Sequence, residues 1–210
     1  MKNLRIYHFN NADQSAFRAA LEDYLESSGR HELAAIYRKA SADVRKGVHG
    51  KPYFCEPALE DVFFSKSNTQ GHEIVCFSDR EVGVDCENIK ARPGIETRFA
   101  GISRKYFTDD EQEYLRASSE GGIERFFEIW TAKEAYMKYT GKGFSEGFRT
   151  FSVFHLPGEI VKTGHLPDAP YVIYSVCNAR AHGAPENRTR SHRPVLEWRS
   201  RPTHHHGKSL

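Results

Sequence analysis

EIVCFSDREVGVDCE, residues 73–87, decides how the rest of the chain is read. EIVCF (73–77) and EVGVDCE (81–87) are apolar runs separated by a Ser-Asp-Arg turn, which predicts two strands joined as a hairpin. In the second run the side chains alternate, so Val82, Val84 and Cys86 face one way while Gly83, Asp85 and Glu87 face the other. Two carboxylates then share a face, with α-carbons roughly 6.6 Å apart at ~3.3 Å per residue. Such a pair suits a solvated strand surface or a shared hard cation, and the strand alone does not choose between them.

Upstream, LRIYHF (4–9) alternates like a strand, and residues 13–40 carry Phe17, Leu21, Leu25, Leu33, Ile36 and Tyr37 at helical spacing. Gly47, Gly50 and Pro52 break that pattern. Downstream, residues 95–106 and 109–117 predict short helices, the second opened by Thr108 with Asp109, Asp110 and Glu111 in its first turn. Residues 123–139 predict the strongest helix, stopped by Gly141 and Gly143. FRTFSVF (148–154), GEIVKTG (158–164) and PYVIYSVC (170–177) then alternate like the strands of a small antiparallel sheet. The class is α+β, read as two similar α+β subdomains, 1–94 and 95–178, packed face to face.

The 210 residues hold 30 Lys+Arg and 28 Asp+Glu, and 39% of them are apolar, which fits one or two ordinary globular units. No run approaches the ~20 apolar residues of a membrane span, and MKNLRIYHFNN lacks a signal-peptide core, so a cytoplasmic protein is expected. Cys55, Cys76, Cys86 and Cys177 stand singly, which argues against a zinc knuckle or a disulfide framework. Residues 179–210 hold six Arg, one Lys, two Glu, five His and three Pro, and read as a disordered basic tail. The rest of the chain is mildly acidic, so nucleic-acid binding through that tail is the non-enzymatic alternative and not the expectation.

Two further clusters carry chemistry. On a helix at ~100° per residue, Ile123, Phe127, Trp130, Glu134 and Met137 form one apolar stripe with Glu134 in its middle, flanked by Lys133 and Lys138. A carboxylate there must be neutral, paired or metal-bound, because a bare buried charge is very costly. A Glu134–Lys138 pair at i, i+4 would satisfy it; so would a metal shared with Asp85 and Glu87, for which three carboxylates favour magnesium over zinc. Arg45, Lys46, His49, Gly50 and Lys51, followed by Ser65, Lys66 and Ser67, are either phosphate ligands or ordinary loop polarity. No Walker sequence is present, since GKS at 207–209 has Pro202 where the first glycine belongs. Three acids and several lysines would also serve another magnesium-dependent enzyme acting on a phosphodiester or pyrophosphate, which is the enzymatic alternative.

In their order along the chain, the motifs resemble the 4'-phosphopantetheinyl transferases, specifically the larger Sfp-type class. GKP at 50–52 is similar to the family's Gly-Lys-Pro segment, and SKS at 65–67 stands where the family has Ser-His-Ser. GVDCE at 83–87 resembles its GVD-x-E; WTAKEAYMK at 130–138 and GKGF at 141–144 resemble its W-x-x-KE motif and the glycine-rich segment after it. FTDDEQEYL at 107–115 and FSV at 151–153 fit as well. The resemblance implies two similar subdomains with the site between them. It also implies transfer of the phosphopantetheine arm of coenzyme A to a serine of an acyl or peptidyl carrier protein by a magnesium-dependent monomer, releasing adenosine 3',5'-bisphosphate. Carried over, Asp85, Glu87 and Glu134 become metal ligands, and Asp85, Glu134 and Lys138 the catalytic set. Lys51, Pro52, Ser65 and Lys66, with Gly50, fall on coenzyme-contacting segments, and Arg45 and Lys133 complete the expected coenzyme side. Phe99, Tyr106 and Phe107 are candidates either for docking the carrier or for the core.

Overall fold

The computed structural model describes residues 4–90, 95–117, 122–143, 147–156, 159–179 and 198–200. Its first half runs β1 (Arg5–Asn10), α1 (Gln14–Ser27), α2 (His31–Tyr37), β2 (Val44–Lys46), β3 (Pro52–Phe54), β4 (Phe63–Thr69), β5 (His72–Ser78) and β6 (Val82–Asn88). The second half adds α3 (Ile95–Tyr106), α4 (Asp109–Arg116), α5 (Gly122–Thr140), β7 (Glu159–Leu166), β8 (Ala169–Ala179) and β9 (Trp198–Ser200). The α+β class holds, and none of the described helices is long and apolar enough to cross a membrane.

Local chemistry sets the element ends. The Asp13 carboxylate accepts from the N–H groups of Ser15 (2.8 Å) and Ala16 (3.1 Å), capping α1. Gly29, at φ 78°, turns the chain where an L side chain would be strained, so the helical region expected over 13–40 divides into α1 and α2. Thr108 opens α4 as expected, its N–H donating to the Glu111 carboxylate at 2.8 Å.

The strands sort into a four-stranded sheet of order β4-β5-β1-β9, a three-stranded sheet of order β6-β8-β7, and the β2–β3 hairpin. The hairpin expected from 73–77 and 81–87 therefore does not form. Both sides of β5 are taken, by β1 and by β4, and β6 crosses to the other sheet, where it pairs antiparallel with β8. A hairpin forms one strand earlier instead, joining β4 to β5 through Gln70 and Gly71, whose φ values of 38° and 85° are those of a tight primed turn. FRTFSVF is no strand either. Phe148–Thr150 form a 3-10 turn, and the carbonyls of Phe148 and Phe151 and the N–H of Val153 bond to buried side chains of α5 and α4 instead of a ladder. Most of the basic tail lies outside the described residues; within it, Trp198–Ser200 pair parallel with β1.

Period-two alternation builds three cores. Tyr7, Phe9, Val75 and Phe77 face α1 and α2, meeting Leu21, Tyr24 and Leu25. From the opposite face of the same strands, Ile6, Ile74 and Cys76 meet Val82, Val84, Cys86, Val172 and Val176 of the second sheet. Ile173, on that sheet's far face, packs with Phe126, Phe127 and Ile129 of α5, and Phe99, Tyr106 and Phe107 belong to this core. The layers thus run helices, sheet, sheet, helices. The outer strands β4 and β6 are not ladder partners, yet side chains stitch them: the Val84 N–H donates to Ser65 Oγ (3.0 Å) and the Asn88 N–H to Thr69 Oγ1 (3.2 Å).

A histidine pair closes one end of the space between the sheets. His8, 5% exposed, lies 3.0 Å from His72 between ring nitrogens, and His72 reaches the Tyr171 hydroxyl at 3.3 Å, with Lys90 over the Tyr171 ring. Burial holds His8 below its ordinary value of 6.5, reinforced by His72 and opposed by Asp168; burial and then Lys90 lower His72. The folded state thus binds fewer protons than the unfolded chain near that value. The pair's contribution is fully present above pH 6.5 and is lost as pH falls through the lowered values. The thermal midpoint is expected to drop more between pH 7 and 5 for the native chain than for the double substitution His8→Gln, His72→Gln, measured in one buffer series.

Candidate active site

The site is built where α5 crosses β6. A Cβ on Gly83 would stand 2.0 Å from the Ala135 carbonyl oxygen and 2.4 Å from the Tyr139 nitrogen. Only glycine lets the helix lie this close to the strand. Because the clash is with backbone on both sides, no side chain can give way to relieve it. Gly83→Ala is therefore expected to destabilise the fold toward the upper end of the ~1–3 kcal/mol typical of overpacking and to lower activity by lifting α5 off the strand. Urea unfolding with a parallel activity assay checks it.

Two residues along β6, Asp85 is 6% exposed. Its Oδ1 accepts from Ser67 Oγ at 2.8 Å and from Lys138 Nζ at 2.9 Å, while its Oδ2 is buried without a hydrogen-bond partner among the described residues. Burial pushes the Asp85 carboxyl up, outweighing Lys138 and Ser67. Glu134, one turn before Lys138, is pushed up to about 7, by burial first and then by the negative charges of Asp85 and Glu87, with Lys138 opposing. The Glu134–Lys138 alternative gives way to a different pair, because Lys138 reaches across to Asp85. Lys138 also donates to the Lys66 carbonyl at 3.4 Å, tying α5 to β4.

Glu134, Lys138 and Lys66 line one wall of a cavity of ≈ 820 Å³, with Asp85 behind Lys138. Its other walls are the start of α1, Ser41–Val44, the β2–β3 hairpin, β4 and the segment after α5. Arg18, Lys46, Lys51, Lys66 and Lys138 line it together with Phe17, Leu21, Val44, Phe64, Met137 and Phe148. An apolar lobe beside several cations suits a ligand with both apolar and phosphate parts. Of the residues expected from sequence, Lys51, Pro52, Ser65, Lys66, Glu134 and Lys138 line this space. Asp85 is reached through Lys138, and Glu87 acts on Glu134 through its charge. Arg45 is not brought in; it sits across from Tyr53 on the hairpin and pairs with Asp43 at 3.2 Å. Nor is Lys133, which is fully buried against Glu111 at 2.9 Å. Sequence reading missed Arg18 and Phe148 as lining residues, since neither falls in a motif.

Among the described residues, no group of three His, Cys, Asp or Glu side chains is gathered closely enough to hold a metal as it stands. The donor chemistry nevertheless fits a hard cation: carboxylate oxygens, one of them buried and without a partner among the described residues, and a glutamate raised by burial first and then by two neighbouring negative charges. Asp85, Glu87 and Glu134 are the residues that could hold it.

Residues 81–201 match the family model of the 4'-phosphopantetheinyl transferase superfamily. A 4'-phosphopantetheinyl transferase of Bacillus subtilis is 32% identical over 190 residues, 87% of this chain and 74% of the relative. The chain belongs to the 4'-phosphopantetheinyl transferase superfamily. Sfp of Bacillus subtilis strain 168 is 29% identical over 170 residues, 79% of this chain and 68% of its own. A putative 4'-phosphopantetheinyl transferase of Synechocystis is 28% identical over 126 residues, 59% and 48% of the two chains. As a phosphopantetheinyl transferase of Sfp type, the chain has its matched region starting at Glu81, just before the β6–α5 crossing. That region runs past Cys177 into the basic tail, beyond where motifs are legible.

Proposed function

We propose that the chain transfers the 4'-phosphopantetheine arm of coenzyme A to a serine hydroxyl of an acyl or peptidyl carrier protein, with magnesium, as a cytoplasmic monomer of two similar subdomains. The observation that carries this reading is the Asp85–Lys138 pair beside Glu134 on the wall of a cavity that is apolar and cationic at once.

The serine oxygen attacks the phosphorus next to the pantetheine, forming one P–O bond as the bond to the bridging oxygen breaks, and adenosine 3',5'-bisphosphate leaves with the electron pair. The seryl proton needs an acceptor within hydrogen-bond reach, and Glu134, half-buried on the cavity wall, fills that role. Lys138 offsets the charge that grows on the departing bisphosphate, and Ser67 holds Asp85 oriented. Lys46, Lys51 and Lys66 meet the remaining phosphate charge, Lys66 standing where the family's histidine is expected. Asp85, Glu87 and Glu134 would hold magnesium, which when bound would add neutralisation of the phosphate charge. The apolar lobe around Phe17, Leu21 and Phe64 takes an uncharged part of the coenzyme.

The test incubates the chain with coenzyme A and an apo carrier protein, with magnesium and with a chelator. The expected result is a carrier heavier by one phosphopantetheine arm only when magnesium is present. Coenzyme consumption with no change in carrier mass would mean hydrolysis instead, and an unmodified carrier with intact coenzyme would refute the reading.

A further inference from the structure

Two lysines of the cavity wall are already held by carboxylates of this chain. Lys138 holds Asp85, which belongs to the acidic group itself. Lys51 holds Glu81, which lies in the link between β5 and β6, outside that group. The same ammonium donates to the Tyr139 carbonyl at 2.7 Å, in the last turn of α5, where carbonyls lack helical partners and the helix end is partly negative. The Lys51 stem lies over Gly141, whose φ is 68° and where an added Cβ would come 3.0 Å from Lys51 Cδ. Backbone, glycine and carboxylate together fix this lysine in place. Its side chain is 21% exposed, against 49% for Glu81, so the carboxylate is the member that water and solutes reach.

We propose that Glu81 is an affinity-setting residue, an internal anion that competes with the phosphate groups of the coenzyme and of the bisphosphate product for Lys51. This rests on the functional reading above. A phosphate entering beside Lys51 must displace the Glu81 carboxylate or share the ammonium with it, so both substrate and product bind less tightly than the lysine alone would allow. For an enzyme whose leaving group carries two phosphates, weaker holding of that product favours turnover. Glu81 acts only through Lys51; it touches no reacting atom.

The experiment titrates the full-length chain with adenosine 3',5'-bisphosphate by calorimetry, comparing the native protein with Glu81→Gln, Lys51→Met and the double variant. Glu81 is on the surface and Gln keeps its shape, so folding is preserved, which a thermal midpoint within error of the native one confirms. Glu81→Gln is expected to bind about threefold tighter, the range of an exposed ion pair, with the gain shrinking as salt rises. In the Lys51→Met background the same substitution should change nothing. In steady state, the KM for coenzyme A should fall by a similar factor with kcat unchanged or raised. Unchanged or weaker binding in Glu81→Gln overturns the proposal, as does an equal gain with Lys51 absent, which would be a general charge effect. A native chain that binds no bisphosphate refutes the functional reading on which the proposal stands.

Discussion

Replacing Glu134 by glutamine is expected to lower kcat/KM for carrier modification by about 10²–10³, the loss seen when one preorganised polar group is removed from a reaction centre. The same substitution should leave the folded state as stable as before or more so. The reason is electrostatic. Glu134 is held at about 7 because burial and the negative charges of Asp85 and Glu87 all disfavour its ionised form, with Lys138 alone opposing them. A protein selected only for stability would not keep an acid there, and a glutamine of the same shape removes the repulsion without opening a cavity. Activity lost with stability kept is thus the signature of a functional carboxylate. It is read by following carrier mass over time and by urea unfolding of the same preparation. Near-normal transfer by this variant at saturating magnesium would remove Glu134 from both roles given to it.

Its neighbour should behave in the opposite way. Lys133→Met is expected to cost about 3–5 kcal/mol of stability, as when one partner of a buried ion pair is deleted. Lys133 and Glu111 are both fully buried, 2.9 Å apart, and the ammonium also donates to the carbonyls of Phe148 and Phe151, each at 2.6 Å. Glu111 in turn accepts from the N–H groups of Thr108 (2.8 Å) and Val153 (2.9 Å). Burial lowers the Lys133 ammonium from its ordinary value, opposed chiefly by Glu111 and then by Asp110. Removing the lysine strands a carboxylate in the core and frees the segment that carries Phe148, one wall of the cavity. The double substitution Lys133→Met, Glu111→Gln should recover part of the loss, because no bare charge is left behind. Denaturant unfolding of the three proteins decides it, and a loss below about 1 kcal/mol, the scale of an exposed pair, would show that the pair is not structurally important.

Side by side, these residues show what could be read in advance. Asp85, Glu134 and Lys138 were legible as a group, because strand alternation and helical spacing put each on a definite face and the motif order fixed the pairing of those faces. The sequence reading puts Lys133 on the coenzyme side, yet consecutive helical residues point ~100° apart, and nothing local says that its partner is a glutamate on another helix. Arg45 shows the same limit on a strand, where neighbours face opposite ways: Lys46 lines the cavity and Arg45 pairs with Asp43. The misplaced hairpin failed for a related reason. A turn between two apolar runs shows that the chain bends, not that both edges of the first strand are already occupied. Gly83 looked like an ordinary strand residue, because the backbone it must clear belongs to a helix about fifty residues later.

Strands that end a sheet usually present unpaired N–H and C=O groups that another chain can adopt as a template. Here β4 and β6, the terminal strands of two different sheets, lie against each other with serine and threonine hydroxyls reaching N–H groups of Val84 and Asn88. A hydroxyl can rotate to give or accept, so it seals such a border without imposing ladder register. Short polar side chains at Ser65 and Thr69 therefore guard this enzyme against strand-by-strand aggregation along the seam that also carries its chemistry, and longer or apolar replacements there would expose a growth edge.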